Sequence, residues 1–167
     1  MTITSKIIIT DTNIITDLDN ANLLDEFISL DNVYMVDLVK YEEINNKTCN
    51  NSVINKIKEI SVNELQIAES FNMRNSIKSL SLYDSINLIV SKDNNAILAS
   101  GDKALGKYAK LCNVQIIRTL KIVELLYDNK IITKKKALNS CNLLLNNPKT
   151  RIPKDDINKL INEIEKK

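Results

Sequence analysis

The sequence predicts an α/β fold with a central, mainly parallel sheet of four to five strands and a helical carboxyl-terminal extension. Short runs of β-branched apolar residues recur along the first two thirds of the chain, a pattern typical of strands buried on both faces. Longer segments with helical periodicity separate these runs, which favours parallel strands joined by right-handed crossovers. From Leu120 onward only helical patterns occur.

Each predicted strand is short and bounded by polar residues. We predict strands at residues 7–10, 33–36, 60–62, 96–99 and 114–117, of which 60–62 has the weakest pattern. Helices are predicted at 13–30, 37–44, 52–59, 64–78, 82–90, 102–111, 122–127, 133–145 and 155–164. Asp37 and Ser81 are predicted N-caps, because their side chains can accept hydrogen bonds from free backbone N–H groups.

The length of 167 residues suits one domain with a substantial core. We expect the main unit to occupy residues 1–127 and the extension, 128–167, to pack on it without forming an independent domain. The net charge of +2 is small, so a nucleic-acid partner would have to be held by local basic patches.

The composition excludes several chemistries. The chain has no histidine, which excludes Ser-His-Asp catalysis, histidine general bases and histidine-ligated zinc. Its three cysteines form no CxxC pair and predict neither a disulfide framework nor a zinc site. No apolar run reaches the roughly 18 residues of a membrane helix, so we expect a cytoplasmic protein without a membrane partner.

Four acidic residues occupy matching positions in the predicted elements. Asp11 and Asp102 follow strands, while Glu42 and Asp84 lie on helices that follow or precede strands. Such positions can converge on one edge of a doubly wound sheet, where ligands bind. Two charges ~4 Å apart repel by about 4 kcal/mol at an effective dielectric constant near 20, and a divalent cation removes that conflict. Oxygen ligands alone suit Mg²⁺ or Mn²⁺.

The motifs around these acids resemble those of the PIN-domain family of metal-dependent ribonucleases. The matching segments are Ile8-Ile9-Thr10-Asp11-Thr12-Asn13, Val39-x-x-Glu42, Asp84-Ser85-Ile86 and Ala99-Ser100-Gly101-Asp102. The resemblance covers roughly residues 3–127 and implies a three-layer α/β/α fold. Glu43 adjoins Glu42 where the family usually has an apolar residue, so either glutamate is a candidate for the metal-facing acid on this helix.

The resemblance also implies roles for individual residues. Asp11, Glu42, Asp84 and Asp102 would be the catalytic acids and would bind one or two Mg²⁺ or Mn²⁺ ions. Asn13 and Ser100 would orient the acids or the attacking water, and Lys103 and Lys107 would hold the RNA backbone. By contrast, Asp17, Asp19, Asp37 and Asp93 are interpreted as solvated or capping residues.

The carboxyl-terminal segment is similar to the helical extension of a prokaryotic PIN subgroup. The similarity rests on Leu125-Leu126-Tyr127, Ile131-Ile132-Thr133 and Lys149-Thr150-Arg151-Ile152-Pro153. That subgroup is similar to VapC-type toxin nucleases of toxin–antitoxin pairs. It implies RNA as substrate, a small antitoxin protein as a candidate partner, and a homodimer.

Three other functions compete with the nuclease. A haloacid-dehalogenase-type phosphatase needs a second Asp two positions after the first, where this chain has Asn13. A response-regulator receiver needs an Asp at the end of the third strand, and Ile60-Ser61-Val62-Asn63 provides none. A catalytically reduced PIN-fold module that binds nucleic acid or protein remains as the alternative to a nuclease.

Overall fold

In the part of the chain that the structure describes, five parallel strands form one sheet with the first strand at its centre. The computed structural model describes residues 4–44 and 55–167. The strand order is β3-β2-β1-β4-β5, and every neighbouring pair is parallel. The strands are β1 (Ile8–Thr10), β2 (Val33–Val36), β3 (Lys58–Ile60), β4 (Ile97–Ala99) and β5 (Gln115–Ile117).

Helices flank both faces of this sheet, and the predicted fold class is confirmed. The first three helices are α1 (Thr12–Asn20), α2 (Leu24–Ile28) and α3 (Asp37–Val39), the last continuing as a π-helical turn, Lys40–Ile44. They are followed by α4 (Glu64–Ser76), α5 (Leu82–Asp93), α6 (Lys103–Leu111), α7 (Thr119–Asp128), α8 (Lys134–Asn146) and α9 (Lys154–Lys166).

Alternate residues of β4 show how the layers are filled. Ile97 and Ala99 belong to the main apolar core, whereas Leu98 belongs to a smaller cluster with Leu88 of α5 and Leu105 of α6. This division follows from the strand period of two, which directs successive side chains to opposite faces. The sheet is therefore covered on both sides, as a fully buried parallel sheet requires.

The carboxyl-terminal helices share the main core. Ala137, Cys141 and Leu144 of α8 and Ile157 and Ile164 of α9 are buried in the apolar cluster that also contains the β1 isoleucines. Cys141 and Cys112 are free thiols. The helical extension is thus continuous with the core of the sheet.

Three predicted segments differ from the structure. The helix predicted at 13–30 is wrong as one element, because Asn22 adopts a left-handed conformation with φ of 54° and separates α1 from α2. The strand predicted at 60–62 lies two residues earlier, as β3. The helix predicted at 52–59 is wrong for residues 55–59, which form a turn and the start of β3, while 52–54 lie outside the described residues.

The register places one edge of the sheet at the centre of the site. Thr10 pairs with Ala99, so Asp11 and Ser100 follow neighbouring strands at the same level. The ladder continues one step further, because the Asp11 N–H donates to the Ala99 carbonyl at 2.9 Å and the Ser100 N–H to the Ile117 carbonyl at 3.0 Å. β1 is flanked by β2 and β4, which is the switch point where ligands bind in open α/β sheets.

Candidate active site

Asp11 is a buried carboxylate at the carboxyl end of the central strand. The residue is only 4% exposed, and its side chain makes no capping hydrogen bond to α1, although Asp11 is the N-cap residue. Its Oδ2 accepts a hydrogen bond from the Ser100 hydroxyl at 2.9 Å and one from the Asn13 amide at 3.3 Å. The two predicted orienting residues therefore contact Asp11 and fix the position of its carboxylate.

Ser100 connects Asp11 to Asp102. The Ser100 hydroxyl, which is fully buried, donates to Asp11 and accepts from the Asp102 backbone N–H at 3.2 Å. Asp102 is the N-cap of α6, where its Oδ1 accepts from the Leu105 N–H at 2.7 Å. One hydroxyl thus spans the ends of β1 and β4 and ties a buried carboxylate to the acidic cap of the next helix.

Asp84 occupies the third position of α5 and takes part in a capping box. Its Oδ2 accepts from the Ser81 N–H at 2.9 Å, and the Ser81 hydroxyl accepts from the Asp84 N–H at 3.0 Å. The predicted N-cap at Ser81 is confirmed. This reciprocal pair satisfies two backbone donors that a helix start leaves free, so Asp84 has a structural role in the first turn of α5.

The four predicted acids do not form one cluster in the described part of the chain. Glu42 is exposed on the π-helical turn, and the side chain of Glu43 lies outside what the structure describes. Within residues 4–44 and 55–167, no three acidic or cysteine side chains come close enough to hold a metal ion together. The structure joins Asp11 and Asp102 through Ser100, and Asp84 and Glu42 do not extend that pair.

Comparison with known families settles the relationship of this chain. A family model described as "PIN domain" matches residues 7–166, which include the sheet and the carboxyl-terminal helices. The chain belongs to the PIN-domain family. No curated protein and no solved structure matches it. PIN domains are in general nucleases that use divalent metal ions, so membership supports a hydrolase with a nuclease fold.

The donor groups of this PIN domain suit a hard cation. The Asp11–Ser100–Asp102 edge offers carboxylate and hydroxyl oxygens, and the whole chain lacks histidine. Mg²⁺ usually keeps several waters and is bound through one or two protein carboxylates together with substrate phosphates. Two linked acids at the sheet edge therefore fit such an ion.

A basic surface adjoins the acidic edge. Lys103, Lys107 and Lys110 are exposed and recur at helical spacing on α6, directly after Asp102. The Arg118 guanidinium lies against Gly106, where an added Cβ would stand 3.6 Å from one of its nitrogens. Within the described residues none of these four cations forms an ion pair.

The sequence prediction included Lys103 and Lys107 but missed Lys110 and Arg118. The i+7 spacing from Lys103 could have identified Lys110. Arg118 follows the last residue of β5, a position equivalent to that of Ser100 after β4. Its neighbour Gly106, however, lies on α6. A contact between two separate elements cannot be recognised from local sequence.

The interpretation of Asp17 as a solvated or capping residue is wrong. Asp17 is half-buried, and its Oδ2 accepts from the Thr119 hydroxyl at 2.7 Å, which joins α1 to the first residue of α7. Burial raises the pKa of Asp17, while the Thr119 hydrogen bond and the Arg151 charge act in the opposite direction. The missed signal is that Asp17 stands three residues after the buried Ile14 on the same helix.

Membrane insertion by a helix finds no support in this PIN domain. Across the two described stretches, no helix combines the length and the apolar character needed to cross a bilayer.

Proposed function

We propose that this PIN domain is a divalent-metal-dependent endoribonuclease that hydrolyses phosphodiester bonds of single-stranded or structured RNA. One observation carries the proposal: the buried Asp11 carboxylate is linked through Ser100 to Asp102 at the switch point of the sheet. A buried carboxylate is costly to desolvate, so its place at a ligand-binding edge favours a role in binding or catalysis over one in stability.

In the proposed mechanism, the residues of the site have separate roles. Asp11 and Asp102 would hold Mg²⁺ or Mn²⁺, with Asp84 and either Glu42 or Glu43 as the further acids of the set. When bound, such an ion supplies Lewis acidity to the scissile phosphate and lowers the pKa of the attacking water. Ser100 and Asn13 donate hydrogen bonds to Asp11 and so hold its carboxylate in one orientation.

RNA binding is assigned to the basic surface on α6. Lys103 and Lys107, with Lys110 and Arg118, lie beyond the Asp102 cap and present positive charge at the edge of the sheet. Contacts of this kind with phosphates are independent of sequence and weaken with added salt.

The cellular role belongs to the same proposal. The resemblance of the carboxyl-terminal helices to those of a toxin-like PIN subgroup supports a cytoplasmic toxin paired with a small antitoxin protein, and a homodimer. A small adjacent reading frame with a DNA-binding amino-terminal half would support the toxin role. Its absence would favour a nuclease without an antitoxin.

The deciding experiment measures Mn²⁺ binding and RNA cleavage together. The wild type should bind Mn²⁺ and cleave single-stranded RNA, whereas the double variant Asp11→Asn/Asp84→Asn should lose both. Asp156→Asn is the matched control, because it removes one exposed carboxylate from α9, far along the chain from the sheet edge. A wild type that neither binds the metal nor cleaves RNA contradicts the proposal. A double variant as active as the wild type places the activity elsewhere.

A second candidate is a PIN-fold module that binds RNA or a protein and has reduced catalysis. It is favoured by the observation that the described residues bring no three acids into one cluster. This module would bind RNA with the same dependence on α6 lysines but would not cleave it with Mg²⁺ or Mn²⁺ present.

A further inference from the structure

A cleft of about 330 Å³ lies between α4 and the start of α5. Its α4 side carries Phe71 and Arg74, and Lys78 follows in the loop. Its other side is formed by residues 80–83, which include Ser81 and Tyr83. Ligand clefts in proteins begin at about 300 Å³, so this one has room for a single small group such as a nucleotide.

The α4 side of the cleft combines an exposed aromatic ring with two cations. Phe71 is 48% exposed, and Arg74 is exposed three residues later on the same face of α4. Lys78 is exposed in the loop that follows the helix. Neither cation forms an ion pair within the described residues. The helix dipole accounts for Arg74 in the last turn of α4, but it explains neither Lys78, beyond the helix end, nor the exposed Phe71.

The cleft adjoins the first turn of α5, which carries Asp84. Ser81 lines the cleft, and its N–H and hydroxyl form the capping box with Asp84. Ser81 therefore links the lining of the cleft to Asp84, one of the proposed acids. Among the described residues, no acidic side chain lines the cleft, so its charge complements an anionic ligand.

We propose that this cleft binds one nucleotide of a single-stranded RNA segment. The base stacks on Phe71, and Arg74 and Lys78 bind the adjoining phosphates. Aromatic stacking accepts any base because every base has a π-face. Cations beside the ring bind the phosphates of the RNA backbone. The proposal rests on the proposed nuclease function for the identity of the ligand as RNA.

The test measures binding of a short fluorescein-labelled single-stranded RNA by anisotropy, in buffer with EDTA so that no metal-dependent cleavage occurs. Phe71→Ala should weaken binding about tenfold, while Phe71→Trp should retain it. Arg74→Gln combined with Lys78→Gln should weaken binding and reduce the salt-dependence slope by about 0.7 for each phosphate that is no longer neutralised. Leu65→Ala, which alters an 82% exposed apolar residue on the same helix, and Lys159→Gln on α9 are the matched controls and should leave binding unchanged.

Several outcomes overturn the proposal. It fails if the wild type binds no RNA, if Phe71→Ala binds RNA as tightly as the wild type, or if Leu65→Ala weakens binding equally. It also fails if polyglutamate displaces the RNA from the wild type at the same charge concentration, since the cleft would then select acidic protein and not nucleotides. Phe71→Ala should leave the binding of fully paired RNA unchanged, because a base in a duplex cannot stack on the ring, and an equal loss there contradicts the stacking.

The two proposals can fail separately. If the wild type cleaves RNA with Mn²⁺ but Phe71→Ala binds normally, the nuclease function stands and the cleft proposal is wrong. If binding depends on Phe71 but no metal supports cleavage, the cleft proposal stands and the nuclease function is wrong.

Discussion

Two buried serines of this PIN domain have opposite hydrogen-bonding states. Ser100 donates to the Asp11 carboxylate and accepts from the Asp102 N–H, whereas the Ser91 hydroxyl on α5 has no partner among the described residues. Both residues are fully buried. A buried donor that serves a carboxylate stabilises the fold, and a buried hydroxyl without a partner destabilises it.

Replacing each serine by alanine should therefore give opposite results. Ser100→Ala should lower the free energy of unfolding by about 1–3 kcal/mol, because Asp11 loses a donor, and should weaken Mn²⁺ affinity about 10–100-fold. Ser91→Ala should leave stability unchanged or raise it by up to about 1 kcal/mol. Urea unfolding and Mn²⁺ titration check both, and equal losses of stability in the two variants would contradict the assignment of Ser100.

Asp17 makes stability depend on pH. A carboxyl group whose pKa is higher in the folded state binds its proton more tightly when folded. Its contribution is therefore most favourable below the unfolded-state value of 3.8 and is lost as pH rises through the higher folded-state pKa. Asp17→Asn should remove this loss of stability with rising pH and make the protein more stable than the wild type at neutral pH.

Thermal melts across the acidic pH range measure this effect. Thr119→Val is the partner variant, because it removes the hydrogen bond that lowers the pKa of Asp17 and should extend the decline to higher pH. If the melting temperatures of Asp17→Asn and the wild type depend on pH in the same way, a group other than Asp17 causes that dependence.

At the level of elements, two of the candidate acids also accept hydrogen bonds from backbone N–H groups at helix starts. The Asp102 carboxylate accepts from the Leu105 N–H at the start of α6, and the Asp84 carboxylate accepts from the Ser81 N–H at the start of α5. A loss of activity on mutation would be ambiguous if it came with a frayed helix. Asparagine resolves this, since it caps helices about as well as aspartate but carries no charge.

Asn and Ala substitutions should separate the two roles. Asp102→Asn should retain stability within a few tenths of a kcal/mol, roughly the difference between good caps, and still lose RNA cleavage. Asp102→Ala should lose cleavage and about 0.5–2 kcal/mol of stability. The same comparison at Asp84 decides whether that residue is more than a cap, because an active Asp84→Asn would limit it to the capping box. Circular dichroism melts and cleavage assays on the same samples provide both readouts.

The sequence predicted the central elements better than the peripheral ones, for physical reasons. β1, β2 and β4 were located to within a residue, because central parallel strands must be apolar on both faces. The edge strand β5 was also located to within a residue, since Ile116 and Ile117 still form an apolar run. β3 is an edge strand whose residues are exposed or half-buried, so its Lys58 and Glu59 carry no such pattern. The break at Asn22 depends on one left-handed residue, which the apolar periodicity of the segment conceals.

The residues of the candidate site also differ in whether the sequence could predict them. Asp11 and Ser100 were predictable because each follows a paired strand residue at the carboxyl edge. The Arg118–Gly106 contact and the Phe71 cleft were not, because their parts come from elements that only the folded chain brings together.

For the whole molecule, the shared core links the carboxyl-terminal helices to the sheet. Ile157 of α9 is fully buried in the cluster that also contains the isoleucines of β1 and Phe27 of α2. The Lys136 ammonium of α8 forms an ion pair with Glu26 of α2, which adds a second contact between the extension and the amino-terminal half. Unfolding of α9 would therefore expose part of the core on which the sheet depends.

We predict that the chain unfolds as one cooperative unit. Ile157→Ala should lower the global free energy of unfolding by about 2–5 kcal/mol, the usual cost of a large-to-small change in a core, and keep a single transition. Lys159→Ala, exposed on the same helix, should stay within about 0.5 kcal/mol of the wild type. The measurement is urea unfolding followed by far-ultraviolet circular dichroism and by hydrogen exchange of β1 amides. If Ile157→Ala instead gives an early transition that leaves β1 protected, the extension is a separate folding unit and the sheet is stable without it.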